Sequence, residues 1–289
     1  MHSELFRIGP IVLRMYGLCM AVGFLSAWRM LIYLCKRTGQ NSDHVAMLLS
    51  WVMVAAIIGA RTEYVIEHWA VEFAHNLAAV VRIDKGGLMF YGGFIGALIP
   101  YVFYALRFRK NFFEMGDISA TVLPLGHAFG RLGCFMHGCC YGKRSDAWLG
   151  VAFPKGSDAW YEQLRAGLIP DTALRSLPVI PTQLIESLAT LTLFVVLFAL
   201  YPKRYRQRGF VSGVYLIGYA VLRFPIEYLR GDPRAAVGPF SISQTISIVI
   251  FAAGVGCIAW SRRAAAQQKG TNNVSHQGHE DTKEKCKSC

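Results

Sequence analysis

The chain has 289 residues, of which 54% are hydrophobic and 17% are charged, and its mean hydropathy is +0.35. A soluble domain of average composition has fewer apolar and more charged residues, so this composition predicts a membrane protein. The formal net charge of +12 does not indicate a nucleic-acid-binding protein. Its basic residues stand in short segments between apolar runs, and the sequence contains no basic domain with interspersed aromatic residues.

Seven apolar runs approach or exceed the length of about 20 residues that crosses a hydrocarbon core of about 30 Å. They cover residues 11–34, 45–60, 88–106, 118–136, 184–200, 211–228 and 240–260. The predicted fold class is therefore all-α, a polytopic integral membrane bundle of about seven transmembrane helices. The fourth run contains Pro124, His127 and Arg131. Because an ionisable group at depth costs about 2.5–3.5 kcal/mol unless it faces a wet or protein-lined cavity, this weakest run is the most informative one.

The positions of the basic residues predict the orientation of the bundle. Clusters of Lys and Arg follow the first, third, fifth and seventh runs, and such clusters are typical of cytoplasmic loops. Their members are Lys36, Arg37, Arg107, Arg109, Lys110, Lys203, Arg204, Arg206, Arg208, Arg262 and Arg263. The N-terminus is therefore expected outside the cell membrane and the C-terminus in the cytoplasm. The first run lacks the basic flank and matched cleavage site of a signal peptide, so we expect it to be retained.

The chain is expected to form one membrane domain over residues 1–263, with larger external loops at 61–87 and 137–183. Residues 264–289 are polar and have too little apolar surface to fold alone, which predicts a disordered cytoplasmic tail. The tail ends with Cys286 and Cys289, and His276 and His279 precede them. That spacing fits a four-ligand metal site, and the simpler interpretation is a reduced, unstructured tail.

Two segments near the predicted outer face have unusual compositions. Residues 86–96 cluster glycines around Tyr91, and glycine permits either close helix packing or the approach of loop amides to an anion. Residues 126–142 concentrate potentially reactive side chains, namely His127, Arg131, Cys134, His137, Cys139 and Cys140. Arg131 can extend towards the interface, but the glycines beside it favour an anion site.

Two later positions combine charged or polar residues with an apolar run. Arg223 and Glu227 share a helix face if the helix continues past Pro225, either as an anion site or as an ion pair that allows both to enter the membrane. Gln183 and Glu186 lie near one face at the start of the fifth run. Hydrogen bonding between helices is the expected role of Gln183.

Six short motifs follow one another along the chain, each near the predicted outer face. They are Arg14-Met-Tyr16-Gly17, Ile58-Gly-Ala-Arg61, the glycine segment with Tyr91-Gly92-Gly93, Gly130-Arg131-Leu-Gly133, Pro181-Thr-Gln183-Leu and Arg223-Phe-Pro-Ile-Glu227. In this order they resemble the prolipoprotein diacylglyceryl transferase family over residues 10–260. The resemblance implies transfer of the diacylglyceryl group of phosphatidylglycerol to the lipobox cysteine thiol of an exported prolipoprotein, with release of glycerol phosphate.

The resemblance also implies the setting of this enzyme. The location is the bacterial inner membrane, which the chain crosses several times with its N-terminus in the periplasm. The partners are phosphatidylglycerol, the prolipoprotein and the surrounding lipid. No cofactor or metal ion is expected, and a single bundle of this size is expected to act as a monomer.

Matched motif to motif, Arg131 falls on the family's essential arginine, and Arg223 and Glu227 fall on its late arginine and glutamate. An arginine fork suits the lipid phosphate. The acceptor thiol, with a free pKa near ~8.5, must be deprotonated, and Glu227 and His127 are the candidate bases. Substrate contacts are expected from Tyr16, on the family's first-span tyrosine, and from Arg61, Gly92, Gly93, Gly130, Cys134 and Gln183.

Three positions depart from the family pattern. Tyr91 stands where a histidine precedes Gly-Gly, Cys134 where an asparagine stands, and Cys139 where a glutamate stands. Because they stand at these family positions, we assign Tyr91 and Cys139 as catalytic residues. Tyrosine is nevertheless a poor base, and cysteine carries charge only when ionised.

These departures leave two other hypotheses open. One is a paralogue that transfers a lipid group to another acceptor or carries it covalently on its own cysteine, with Cys139 and Cys140 beside Arg131 as the positions where such a thiolate would be stabilised. The other is a non-enzymatic membrane protein in which residues of the 126–142 segment bind a metal or form a disulfide.

Overall fold

The computed structural model describes residues 4–8, 11–74, 76–82, 87–108, 112–232 and 236–287. It is a helical bundle with two short hairpins. The helices are α1 (Met15–Thr38), α2 (Ser42–Glu67), α3 (Phe90–Arg107), α4 (Phe112–His137), α5 (Asp158–Arg165), α6 (Thr182–Arg204), α7 (Phe210–Leu229) and α8 (Ile242–Lys287). The hairpins pair β1 (Glu4–Ile8) with β2 (Ile11–Arg14), and β3 (Ala236–Val237) with β4 (Phe240–Ser241).

Five helices are long and apolar enough to cross a membrane. They are α1, α2, α6, α7 and the part of α8 that covers Ile242–Gln267. Large apolar side chains such as Leu25, Val54 and Val249 are exposed on these helices, as lipid-facing residues are. The predicted class of a multi-pass membrane bundle is confirmed, and the two remaining predicted runs coincide with α3 and α4.

Two helix boundaries differ from the predicted apolar runs. The first run begins in a strand, since residues 11–14 form β2 and α1 begins at Met15. Helix α2 continues past the end of the second run and includes Arg61. Its guanidinium lies 5.3 Å from the ring centres of both Tyr64 and Phe73, and Phe73 is buried. These aromatic contacts continue the helix beyond the apolar run by which hydropathy defines a span.

Helices α2 and α3 pack so closely that glycine is required at their contact. A Cβ atom on Gly59 would overlap the carbonyl oxygen of Gly92, and one on Gly96 would overlap that of Ala55. Gly93 has ordinary room, because its Cβ would lie 3.4 Å from the Cβ of Ala60. Small residues that allow two backbones to approach are the usual basis of helix packing in membranes, so packing accounts for most of this glycine cluster.

Helix α4 lies at the centre of the bundle, against α1, α6 and α7. Its fully buried Asp117 holds the start of α7. The carboxylate accepts hydrogen bonds from the backbone N–H of Gly209 and Ser212 and from the Ser212 hydroxyl, each at 2.7 Å. A carboxylate at a helix N-terminus satisfies donors that the helix itself leaves unpaired.

The segment between α4 and α6 is ordered and forms a small cap. Its core contains Tyr141, Phe153, Ala159 and Val179. Short antiparallel bridges join Val179 to Arg144 and Val151. A further bridge from Gly142 to Arg230 ties the cap to the end of α7, so the residues that follow α4 are held against the bundle.

Helix α8 continues to Lys287, whereas a disordered tail is predicted from residue 264. The side chains beyond Gln267 lie outside the described residues. The disorder of the tail and its metal site at Cys286 and Cys289 therefore stay predictions.

Candidate active site

Three ionisable side chains meet between α4 and α6. Nη2 of Arg131 lies 3.0 Å from Oε1 of Glu186, and Nε2 of His127 lies 3.2 Å from the same oxygen. Glu186 is only 2% exposed. A buried carboxylate beside a guanidinium is tolerated because the charges offset each other, so these residues form one paired group inside the bundle, which we call the α4–α6 triad.

The ring of His127 has two mutually exclusive hydrogen-bonding arrangements in this triad. Its Nε2 atom lies 3.1 Å from Nε of Arg131 as well as 3.2 Å from the Glu186 oxygen. Without a hydrogen Nε2 accepts from Arg131, and with one it donates to Glu186, since one ring nitrogen cannot do both. The location of the ring hydrogen therefore decides which of the two neighbours Nε2 bonds.

A second charged pair lies on α7, which continues as a helix through Pro225. Nη2 of Arg223 lies 2.7 Å from Oε2 of Glu227 and donates to the hydroxyl of Ser243 on α8 at 3.1 Å. Nη1 of Arg223 is buried and has no hydrogen-bond partner among the described residues. Buried polar groups are nearly always satisfied, so this atom is a donor that a bound anion can occupy.

Tyr219 joins the two groups. Its ring centre lies 5.6 Å from that of His127, and its hydroxyl interacts electrostatically with both arginines and both glutamates. The triad and the Arg223–Glu227 pair therefore belong to one polar interior, lined by α4, α6 and α7.

Three cysteines come together where α4 ends. The Sγ atoms of Cys134, Cys139 and Cys140 all lie within 4.8 Å of one another, and we call them the thiol cluster. Cys140 has a φ of 61°, a conformation that costs a residue other than glycine about 1–3 kcal/mol. The turn is held by α6, because Gln183 donates to the carbonyl of Cys139 at 2.7 Å and Thr182 to that of Cys140 at 2.8 Å.

Two arginines give the thiol cluster a positive environment. Arg131 interacts electrostatically with Cys134 and Cys140, and Arg230 with Cys140. Hydrogen bonds from the thiols of Cys134 and Cys139 lower the pKa of Cys140, and the charges of Arg230 and Arg131 act in the same direction, against burial. Donation of those hydrogen bonds raises the pKa of Cys139. Cys140 is therefore the most acidic thiol of the three.

Helix α1 forms a wall of this site. Tyr16 interacts electrostatically with Arg131 and with all three cysteines, and its ring lies over Gly133, where a Cβ atom would be 3.0 Å away. A Cβ on Gly130 would lie 3.5 Å from Sδ of Met20. The structure thus places most of the predicted site residues together, namely Arg131, Arg223, Glu227, Cys139, Tyr16, Gly130, Cys134 and Gln183.

The other predicted site residues form a separate group on α2 and α3. Tyr91 is 60% exposed at the start of α3. The backbone N–H of Gly92 donates to Oε2 of Glu63 at 2.6 Å. Arg61 donates to the carbonyls of Val80 at 2.8 Å, Ala79 at 2.7 Å and Gly87 at 3.0 Å. These contacts hold the connection between α2 and α3 in place.

Four residues of the site were not among the predicted site residues. Glu186 carried a detectable signal, since a carboxylate inside an apolar run is rare unless it is functional or paired. Cys140 was considered only in the alternative hypotheses, as a thiolate beside Cys139 or as a metal or disulfide ligand. Tyr219 and Arg230 gave no local signal, because their place depends on how the helices pack.

The chain is similar to known proteins over almost its whole length. The family model described as prolipoprotein diacylglyceryl transferase matches residues 3–260. The protein named phosphatidylglycerol--prolipoprotein diacylglyceryl transferase from Pseudoalteromonas translucida (strain TAC 125) is 32% identical over 271 residues, which are 91% of this chain and 94% of that protein. Proteins of the same name from Xanthomonas oryzae pv. oryzae (strain PXO99A) and Solidesulfovibrio magneticus are 33% and 31% identical, over 91% and 90% of this chain and 92% and 94% of their own lengths.

Proposed function

The chain belongs to the prolipoprotein diacylglyceryl transferase family, and we propose that it transfers the diacylglyceryl group of phosphatidylglycerol to the lipobox cysteine thiol of exported prolipoproteins, releasing glycerol phosphate. The observation that carries this proposal is that Nη1 of buried Arg223, which has no hydrogen-bond partner in the described part of the chain, lies in the same polar interior as Arg131. The names of the relatives favour neither a different acceptor nor a non-enzymatic role.

The two arginines suit the charge that the reaction develops. When the carbon–oxygen bond to phosphate breaks, the electron pair moves to the leaving phosphate, and prearranged cations stabilise that charge best where water is excluded. Nη1 of Arg223 supplies a buried donor that no described residue occupies. Arg131 is 17% exposed, so its side chain is not fully enclosed by the bundle.

The acceptor thiol must lose its proton before its sulfur attacks the glycerol carbon. His127 is the better of the two candidate bases. Its Nε2 can take a proton and turn its hydrogen bond to Glu186, which stabilises the resulting charge. Oε2 of Glu227 is already paired with Arg223 at 2.7 Å, so this oxygen is occupied before a thiol binds.

We assign the remaining predicted residues supporting roles. Tyr16, Gly130 and Cys134 line the polar interior, and Gln183 fixes the turn that carries Cys139. Arg61, Gly92 and Gly93 hold α3 and its preceding segment against α2, and Tyr91 is exposed where substrate approaches from outside. The contacts of Arg61 with three carbonyls support the positioning role.

We further propose seven spans, formed by α1–α4 and α6–α8 within one domain of residues 1–263, in the bacterial inner membrane. At 1.5 Å per residue the 18 residues of α3 reach about 27 Å. The charges of α4 are paired inside the bundle, Asp117 with the start of α7 and Arg131 with Glu186, so they do not exclude a span. The basic ends of α1 and α6 support a cytoplasmic C-terminus, a periplasmic N-terminus and an active site in the outer half.

Complementation tests the proposal. The parent chain, Arg131→Ala and Arg223→Ala are expressed in a bacterium depleted of its own transferase, and the lipid mass on a tagged prolipoprotein is measured. Arg165→Ala is the matched control, since Arg165 is 78% exposed on α5. We expect lipidation with the parent and the control and a loss of at least about 100-fold with the other two. A well-inserted parent that leaves the precursor unmodified contradicts the proposal.

A further inference from the structure

The thiol cluster has the geometry of a metal site. A bond of about 2.3 Å from Zn²⁺ to each thiolate sulfur places the three sulfurs of a tetrahedral or trigonal site about 3.8–4.0 Å apart. The Sγ atoms of Cys134, Cys139 and Cys140 lie within 4.8 Å of one another, so small side-chain rotations bring them to these separations. Cys134 in the last part of α4 and Cys139 and Cys140 in the turn after it together supply three protein ligands.

The surroundings of the cluster suit bound thiolates. Three thiolates and one Zn²⁺ ion have a net charge of −1, and the guanidinium groups of Arg131 and Arg230 act electrostatically on Cys140. The turn is fixed by hydrogen bonds from Gln183 and Thr182 to its carbonyls. Such supporting contacts orient metal ligands before the ion arrives.

We propose that Cys134, Cys139 and Cys140 bind one Zn²⁺ ion and leave its fourth coordination position for the sulfur of the acceptor cysteine. This inference rests on the proposed function, because only thiol alkylation needs the fourth position. Zinc sites with three protein ligands keep a position open for substrate. Zn²⁺ has no redox chemistry of its own, in keeping with a group transfer in which nothing is oxidised or reduced.

In the proposed reaction the zinc ion binds the sulfur nucleophile. The acceptor R–SH binds Zn²⁺ and gives up its proton to solvent, because a coordinating thiol is deprotonated. The bound sulfur forms a bond to the terminal glycerol carbon of the diacylglyceryl group. The carbon–oxygen bond to phosphate breaks, and its electron pair leaves with glycerol phosphate. The spacing of the cysteines along the sequence predicted no metal; their arrangement in space is what supports one.

Metal content is the first test and needs no activity. The full-length protein is purified in detergent without chelators, and zinc and copper are measured together by mass spectrometry of the elements. We expect one zinc per chain in the parent and in Cys257→Ala, a variant of a cysteine on α8 outside the cluster. Cys134→Ala, Cys139→Ala and Cys140→Ala are each expected to lose zinc while they elute as the parent does.

Several outcomes overturn the zinc site. They are substoichiometric zinc in the parent, copper in its place, a parent mass two daltons low from a disulfide within the cluster, and equal loss of zinc from Cys257→Ala. Transfer of lipid at the parent rate by the zinc-free Cys139→Ala variant also rejects the catalytic role of the ion. If zinc is bound but the parent transfers no lipid, the site stands and the proposed transferase function fails.

Replacement of zinc by Co²⁺ tests the open position. Thiolate-to-cobalt absorption is expected in the near ultraviolet, and a lipobox peptide with its cysteine is expected to change the visible bands and add sulfur charge-transfer intensity. The same peptide with serine in that position is the control. Identical spectra with both peptides contradict binding of the acceptor sulfur to the metal.

Discussion

Nη2 of Arg131 on α4 lies 3.0 Å from Oε1 of Glu186 on α6, and this carboxylate is 2% exposed. The arginine therefore has an anionic partner inside the bundle before any lipid phosphate is bound. Glu186 holds the guanidinium in place and also contacts His127, so it positions both the phosphate-binding group and the base.

Glu186→Gln removes the charge of this partner and keeps its size. A buried guanidinium without its carboxylate loses its fixed place, so we expect kcat to fall about 100-fold or more. Glu186→Asp, which keeps the charge, distinguishes positioning from simple loss of folding, because it should restore part of the rate that Glu186→Gln loses while both variants elute as the parent does. Glu162→Gln on α5 is the control. An unchanged rate in Glu186→Gln contradicts the role of Glu186.

Asp117→Ala is expected to destabilise the bundle without touching the active site. The substitution leaves two backbone N–H groups and the Ser212 hydroxyl without their acceptor, and each unsatisfied buried group costs about 1–3 kcal/mol. We expect a clearly lower unfolding temperature in detergent, with activity per folded molecule retained. Asp146→Ala, at a position 74% exposed, should unfold as the parent does, and equal unfolding temperatures for the two variants would count against this anchoring.

The contact between α2 and α3 predicts opposite effects of alanine substitution at two neighbouring glycines. Gly92→Ala forces a Cβ against the carbonyl oxygen of Gly59, whereas Gly93→Ala has ordinary room. Overpacking typically costs about 1–3 kcal/mol, so Gly92→Ala should reduce the yield of folded protein and its thermal stability, and Gly93→Ala should not. The reverse order of stability contradicts the packing described.

The thiols of the cluster should differ in their acidity. In metal-stripped protein we expect iodoacetamide to modify Cys140 before Cys139, with labelling of Cys140 persisting as the pH falls, because its lower pKa leaves more thiolate at a given pH. Peptide mass spectrometry of Cys139→Ala and Cys140→Ala assigns the modified sulfur. Faster modification of the Cys140→Ala variant than of the Cys139→Ala variant contradicts the order of the two pKa values.

The long helices could be predicted because apolar run length is a local property of the sequence. The Arg223–Glu227 pair could also be predicted from the sequence, since residues four apart on one helix face each other. By contrast, the contact of Arg131 on α4 with Glu186 on α6 joins two residues that are 55 positions apart in sequence. It depends on packing, as do the place of Tyr219 between the charged pairs and the approach of the three sulfurs.

Local aromatic and hairpin contacts explain where the predicted boundaries fail. Hydropathy ends the second span before Arg61, but Tyr64 and Phe73 extend α2 beyond it. The glycines of α3 can serve close helix packing or anion binding, and composition alone does not distinguish the two roles. A Cβ atom on Gly59 would overlap the carbonyl oxygen of Gly92, so the structure indicates close packing there.

The most direct measurement is transfer by the purified chain in vesicles that contain phosphatidylglycerol. A lipobox peptide and its cysteine-to-serine counterpart are added, and the products are identified by mass spectrometry. We expect a thioether-linked diacylglyceryl group on the cysteine peptide, equimolar glycerol phosphate, and neither product with the serine peptide or with Arg223→Ala. A correctly inserted parent that leaves the cysteine peptide unmodified, or that modifies the serine peptide equally, would contradict the account.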